Sequence, residues 1–218
     1  MNESTYHGLT IQESIEANNL RYLDRLRSVM NNALDEHPRT YAIRVDLRLP
    51  TLGDIFDCLS RDETVGYNRN QKNVIKRFTE SLSAKIKAQG RRKRRDGKRL
   101  YPCTVRYAWA KERDTSVNDH YHIALFFNKD RYHRLGDYKR HGSLASMIIE
   151  AWASALDCDY EDCVRLVHFP KQHGYYLVEK NEQFSQQYRD LFYRLSYLAK
   201  KRTKRYGEGS RCFGSSIS

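Results

Sequence analysis

Apolar and polar positions alternate with two periods along this chain, and the changes of period mark its elements. Residues 12 to about 35 place Ile15, Leu20, Leu23, Leu26, Val29, Met30 and Leu34 at helical spacing, which predicts a helix ending before His37-Pro38. Tyr41 to Leu49 alternates strictly and stops at Pro50, the pattern of a strand. Helical spacing returns over 70–89 through Val74, Ile75, Phe78, Leu82 and Ile86, and Gly90 is expected to end that helix. Strands are predicted over 103–112 and 120–127, joined by a polar loop as a hairpin. A third helix over 143–156, a short strand from Cys163 to His168 and a last helix from about Phe184 to Lys204 precede a Gly-rich tail.

From Tyr41 onward the order is strand, helix, strand, strand, helix, strand, helix. That order predicts an α+β fold with a ferredoxin- or RRM-like βαββαβ core, flanked by an N-terminal and a C-terminal helix. No repeat or low-complexity linker interrupts it. Residues 1–40 therefore read as an N-terminal helical extension, 41–206 as the folded domain and 207–218 as a tail.

Side chains alternate across a strand, so each strand can be sorted into two faces. Tyr121, Ile123, Leu125 and Phe127 share one face with Val105, Tyr107, Trp109 and Tyr41, Ile43, Val45, Leu47. The other face carries His120, His122, Ala124 and Phe126, then Arg106, Ala108, Ala110 and Glu112, then Arg44, Asp46 and Arg48. The first face is expected to be core under helices. The second, small and polar, is expected to be a site.

That second face can hold a metal. His120 and His122 lie two apart on a strand, roughly 6.5 to 7 Å along it, a spacing at which two imidazoles can close on one ion. Glu112 ends the preceding strand, and the hairpin would bring its carboxylate beside them. Two imidazoles and a carboxylate with open positions suit Mg²⁺ or Mn²⁺ acting as a Lewis acid on a phosphodiester. Asp46 is a rival third ligand, or else a structural ion pair with Arg44 and Arg48.

On the last helix Phe184, Tyr188, Leu191, Leu195, Leu198 and Ala199 gather on one side, and Tyr193, Tyr197, Lys200 and Lys204 on the other. Tyr197 is thus turned from the core beside cations. A phenol with a pKa near 10 needs such a field to attack at neutral pH, and Lys200, Lys201 and Lys204 could supply it. Tyr193, one turn earlier, is the reserve nucleophile.

Net charge agrees with a polyanionic substrate: 39 Lys+Arg against 27 Asp+Glu leaves +12. The run Arg91, Arg92, Lys93, Arg94, Arg95 is expected to be a loop, either solvated or in contact with DNA backbone beside Arg44, Arg48 and Lys204. No apolar stretch approaches the roughly 20 residues that span a bilayer, and Met1 to Thr10 has no signal-peptide core. A cytoplasmic protein without a membrane partner is expected. The five cysteines include no CxxC pair, which leaves no zinc knuckle. His168 ends a strand and could neighbour the site, but a lone His is more often structural, and neither it nor His173 is counted among the site residues.

His120-Tyr121-His122, followed by Ile-Ala-Leu-Phe-Phe, resembles the His-hydrophobic-His motif of HUH endonucleases, the rolling-circle initiators and relaxases of phages, plasmids and single-stranded DNA viruses. Glu112 stands where several viral members place a carboxylate ligand. Tyr197-Leu-Ala-Lys-Lys-Arg-Thr-Lys204 is similar to the phage tyrosine motif, except that Lys201 occupies the second tyrosine position. Tyr41-Ala-Ile-Arg-Val-Asp-Leu-Arg, the stretch from Asn118 to Asn128, Arg194 to Lys200 and Cys212-Phe-Gly-Ser-Ser look like the inovirus-type replication proteins of enterobacterial prophages. The resemblance implies that 41–206 is an HUH endonuclease domain. It implies DNA nicking at a single-stranded or hairpin origin through a 5′-phosphotyrosyl intermediate. Host helicase and polymerase would be partners, since no P-loop is present. The rival expectation is a non-catalytic, RRM-like single-stranded nucleic-acid-binding or regulatory prophage protein. Stacking aromatics on the central strands would favour it, whereas His, Glu and Arg stand there.

Overall fold

A computed structural model of the chain describes residues 4–50, 62–63, 66–67, 71, 73–113, 119–171, 174–204, 206 and 211–216. The strict alternation of the first predicted strand becomes β3 (Arg39–Arg48), the centre of the main sheet. Before it come a small hairpin, β1 (Thr5–Tyr6) and β2 (Leu9–Thr10), and helix α1 (Leu20–Glu36). After it come α2 (Val74–Arg95), β4 (Arg106–Glu112), β5 (His120–Asn128), α3 (Leu144–Leu156) and α4 (Tyr160–Val164). The chain ends with β6 (Val167–His168), β7 (Gly174–Val178), α5 (Phe184–Ser196), a 3₁₀ turn (Tyr197–Ala199) and β8 (Phe213–Ser215).

The main sheet is α+β in context and antiparallel throughout. Its order is β6-β3-β5-β4-β8, with β7 pairing the same edge of β3 as β6. One face is core as expected. Ile43, Val45, Ile123 and Leu125 are buried there against Phe78, Leu82 and Ile86 of α2 and Ile148 and Trp152 of α3. Burying each such side chain contributes roughly 1.5–3 kcal/mol. Trp152 Nε1 also donates to the Arg48 carbonyl at 3.0 Å, pinning α3 to the end of β3.

The second face departs from its sequence reading. A second helical layer covers most of it: Leu23, Leu26 and Met30 of α1, and Leu191 and Leu195 of α5, close over Ala42, Ala108, Ala110, Ala124 and Phe126. The alanines are small because two helices rest on them, so on this part of the face small size signals close packing. The end bearing His120, His122, Glu112 and Asp46 remains polar, and at the opposite end Arg106 pairs with Glu36 of α1 at 3.0 Å.

Several boundaries also shift. The first helix begins at Leu20, capped by the Asn19 side chain, which accepts from Arg21 N at 3.1 Å. Gly90 does not end α2. It is buried inside it, and Arg91–Arg95 form its last turns rather than a loop. Residues 70 and 72 of the predicted helix lie outside the described residues. Cys163 and Val164 close α4, and only Val167–His168 is strand. The last helix stops at Ser196 instead of running to Lys204. The tail is not peripheral: Phe213–Ser215 pairs with β4 as an edge strand. No helix among the described residues is long and apolar enough to cross a membrane.

Candidate metal centre

The site grows out of the register of three strands. Glu112 on β4 pairs directly with His120 on β5, which pairs with Arg48 on β3. One row inward, Ala110, His122, Asp46 and His168 lie side by side across β4, β5, β3 and β6. Residues in register share a face, so the hairpin alone delivers Glu112 to the histidines. One ligand atom from each of Glu112, His120 and His122 lies within 4.8 Å of the others, a donor set able to hold a metal ion. The two imidazole centroids are 4.9 Å apart.

Asp46 is not a ligand in this arrangement. Its Oδ1 accepts from His122 Nδ1 at 2.6 Å and from Arg44 Nε at 3.1 Å. A carboxylate can only accept, so the Asp46 contact puts the hydrogen on Nδ1 and leaves Nε2 of the neutral ring with its lone pair, although Arg44 Nη2, a donor, also lies 3.0 Å from Nδ1. Nε2 faces Glu112 Oε2 at 3.4 Å, yet it is buried without a hydrogen-bond partner. Two acceptors facing each other in a buried place require a proton or a cation between them. This is the geometry of a carboxylate-oriented histidine ligand.

Charge states follow the same contacts. Burial disfavours charge on His122, but the Asp46 and Glu112 carboxylates prevail and raise its pKa. Burial opposes ionisation of Glu112 as well. His122 and Lys204 outweigh it and hold Glu112 at about 2. His120 is lowered by burial and by its neighbour His122. Lys204 Nζ lies 2.6 Å from Glu112 Oε1 with both side chains buried, so one carboxylate oxygen is engaged and the other faces His122.

The tyrosine segment closes the site. The ring of Tyr197 meets His122 edge-on at 5.4 Å between centroids. Lys200 Nζ stands 3.2 Å from the centroid of Tyr197, and Arg44 Cζ 4.8 Å from it. The helical period predicts Tyr197 turned away from the apolar stripe; instead its ring is half-buried and packs against that same cluster, and a 3₁₀ turn, not a continuing helix, places Lys200 on it. The phenol is not activated as it stands: burial first, then the Glu112 charge, raise its pKa.

The N-terminal segment holds this turn in place, a role without a sequence signal. Gln12 N donates to Ser196 Oγ at 3.0 Å and Gln12 Nε2 to the Tyr193 carbonyl at 3.0 Å. Asn19 N donates to the Ala199 carbonyl at 2.8 Å, and Lys201 N to that of Ala17 at 2.9 Å.

Other sequence candidates fall elsewhere. Tyr193 is 45% exposed and makes no ring contact with the histidines. Lys201 donates to the Glu16 carbonyl at 2.8 Å, away from Tyr197. Arg44 and Lys204, expected on DNA, are buried and engaged with Asp46 and Glu112. Arg48 is exposed beside His120 and keeps access to a ligand. Arg91–Arg95 end α2 at the opposite end of the sheet. His168, set aside in the sequence, borders the site through its pairing with Asp46. His173 lies outside the described residues.

Fold and site together define an antiparallel α+β protein with a two-histidine, one-glutamate cluster beside a tyrosine. The chain belongs to the YagK/YfjJ C-terminal domain family, whose profile matches residues 1–216. Over 197 residues it is 41% identical to the uncharacterized protein YagK of Escherichia coli (strain K12), covering 90% of this chain and 92% of that protein. Over 198 residues it is 38% identical to the uncharacterized protein YfjJ of the same organism, covering 89% and 93%. No solved structure matches the chain.

Proposed function

We propose that the chain is a metal-dependent, HUH-type DNA-nicking enzyme of the kind that initiates rolling-circle replication. The observation that carries this reading is the convergence of Glu112, His120, His122 and Tyr197 at one end of one sheet face. The strand order, with β3 and β5 central, supports the ferredoxin-like βαββαβ core that such an enzyme would use. Glu112, His120 and His122 would hold Mg²⁺ or Mn²⁺, and the unpartnered Nε2 of His122 fits that role. Bound there, the ion supplies Lewis-acid polarisation of a phosphodiester.

The chain's own groups do the rest. Tyr197 Oη attacks phosphorus of a single-stranded or hairpin origin and passes its proton to solvent water. A P–O bond forms to tyrosine as the P–O3′ bond breaks, and the departing 3′-oxygen takes up a proton. The products are a 5′-phosphotyrosyl enzyme and a free 3′-hydroxyl, which host helicase and polymerase would use. Glu112 engaged by a cation no longer opposes ionisation of Tyr197. Lys200 and Arg44 flank the ring and stabilise negative charge as it develops. Asp46 fixes the tautomer of His122.

The Lys204–Glu112 pair favours a second reading, a nucleic-acid-binding protein in which the polar cluster is structural. One experiment separates them. Incubation with Mn²⁺ and single-stranded origin DNA is expected to give a covalent adduct on a denaturing gel, abolished in Tyr197→Phe and by EDTA. No adduct across a broad set of origins overturns the enzyme, and an adduct that survives Tyr197→Phe overturns the nucleophile.

A further inference from the structure

The positive charge of this protein is not gathered at the metal centre. Residues 91–99 hold seven Lys and Arg against one acid, and residues 129–141 five against two, which places nine of the net twelve positive charges in two short segments. The structure joins them. Gln89, near the end of α2, accepts from Arg131 Nη2 at 3.0 Å and from Tyr132 OH at 2.8 Å, and donates to the Gly142 carbonyl at 2.7 Å. Arg91, Arg92, Arg94 and Arg95 are exposed on the helix, as are Arg134 and Arg140 on the loop. The acid within the helical run, Asp96, lies 3.8 Å from Lys98.

At the seam sits Arg131. It is 9% exposed, its Nη2 is bound to Gln89, and its Nε and Nη1 are buried without a partner. Unmet guanidinium donors inside a basic surface are what an anionic oxygen would satisfy. A helix C-terminus welcomes cations, but that effect fades within the last turn. It leaves the loop cations without an account, and Arg131, held by Gln89 and lying 5.4 Å from the Tyr132 ring centroid, keeps two donors unmet.

We propose that this end of the molecule is a second nucleic-acid surface, which seats the phosphate backbone of a DNA duplex. It extends the nickase reading and rests on it for its purpose, though not for its measurement. Duplex is favoured over single strand because cations outnumber open rings here: of the tyrosines around this surface, Tyr138, 42% exposed, is open, and the faces of the others are at least partly taken. Tyr176 stacks on Tyr41 at 5.3 Å, with Lys129 Nζ 5.4 Å from its ring centroid, and Arg99 lies over Tyr101 at 4.8 Å. One open ring among partly covered ones makes no continuous stacking platform for successive bases, whereas a duplex presents the denser row of charge to the arginines. The surface adjoins Asn128, at the far end of β5 from His120, roughly 27 Å by strand rise. That distance matches about eight base pairs of duplex at ~3.4 Å each. A duplex arm gripped here therefore leaves the metal centre free for the unpaired part of the same molecule.

The test uses the full chain without added metal and two fluorescein-labelled probes, a 20-base-pair duplex and a 20-nucleotide single strand. Binding is followed by anisotropy across a salt series. In R91Q/R92Q/R94Q/R95Q the duplex affinity is expected to fall at least tenfold, with a salt slope shallower by about 3 to 4. Single-strand affinity should change little, as should Mn²⁺ binding by calorimetry. Arg131→Gln, a single change, is expected to weaken duplex binding in the same direction, and circular dichroism checks that both variants fold. Unchanged duplex affinity and slope in folded quadruple variant overturns the proposal. A loss confined to the single strand overturns the choice of duplex. Duplex binding that depends on these arginines, without any covalent adduct in the nicking assay, sinks the nickase and leaves this surface standing.

Discussion

Asp46 accepts the Nδ1 hydrogen of His122 at 2.6 Å and so decides which nitrogen of that ring is open to a cation. Asp46→Asn replaces a charged acceptor by an amide that can be turned either way, and the tautomer is no longer enforced. We expect Mn²⁺ affinity to fall by about 10- to 100-fold, read by calorimetry, with a native circular dichroism spectrum. An unchanged affinity would remove Asp46 from the metal centre. Lys204 differs, because its ammonium satisfies Glu112 Oε1 inside the protein. Lys204→Met strands a buried carboxylate and should lower unfolding stability by about 3–5 kcal/mol, measured in urea. Saturating Mn²⁺ should return part of that loss if Glu112 is a ligand, and none if the pair is only structural. From sequence, Glu112 was legible because an eight-residue offset across a hairpin fixes register. Lys204 was not, since its path to Glu112 runs through a turn after α5 that the helical period conceals.

Elements set by local period were recovered, and elements set by partners were not. β3 alternates, with one face under α2 and α3, and β5 is legible as an apolar run because its other face, Ala124 and Phe126, is covered as well. β7 and β8 are short edge strands whose residues carry little pattern of their own. β8 is held by its neighbours: a Cβ on Gly214 would come 2.7 Å from Trp109 Cε2, and Tyr22 stacks on Phe213 at 4.3 Å. Gly214→Ala must displace the Trp109 indole or the strand itself. We expect a loss of about 1–3 kcal/mol in urea unfolding, with weaker exchange protection across β8 than elsewhere. Wild-type stability would show that the indole yields freely. The N-terminal segment makes the same point for helices. Residues 12–19 join the predicted helix through Ile15 alone, yet their backbone and amide groups serve the Tyr197 turn. A period calculation sees only apolar side chains, so hydrogen bonds to a segment some 180 residues away leave no trace in it.

At the scale of the whole molecule, the cluster of Glu112, Asp46 and the two histidines couples stability to pH with a definite sign. Glu112 is held at about 2 and Asp46 below its ordinary value, in each case against the cost of burial. A depressed carboxylate contributes stability that is present above its unfolded pKa, near 4, and is lost as pH falls through the folded value. The metal-free chain should therefore lose urea stability steadily from about pH 5 towards pH 2. Glu112→Gln, already lacking the charge, should lose less over that interval. The histidines act nearer neutrality and oppose each other, since His122 is raised and His120 lowered. A raised His122 adds stability below the unfolded histidine value that fades as pH rises; a lowered His120 does the reverse. Metal breaks this opposition, because both imidazoles must be neutral to bind it. Thermal melts with and without Mn²⁺ should thus diverge as pH rises through the raised folded value of His122, above the ordinary 6.5, by about 2.7 kcal/mol once free ion reaches a hundredfold over its dissociation constant. The divergence should vanish in His120→Ala. Curves that stay superimposed from pH 5 to 8 would mean that the cluster is satisfied by protons and Lys204 alone.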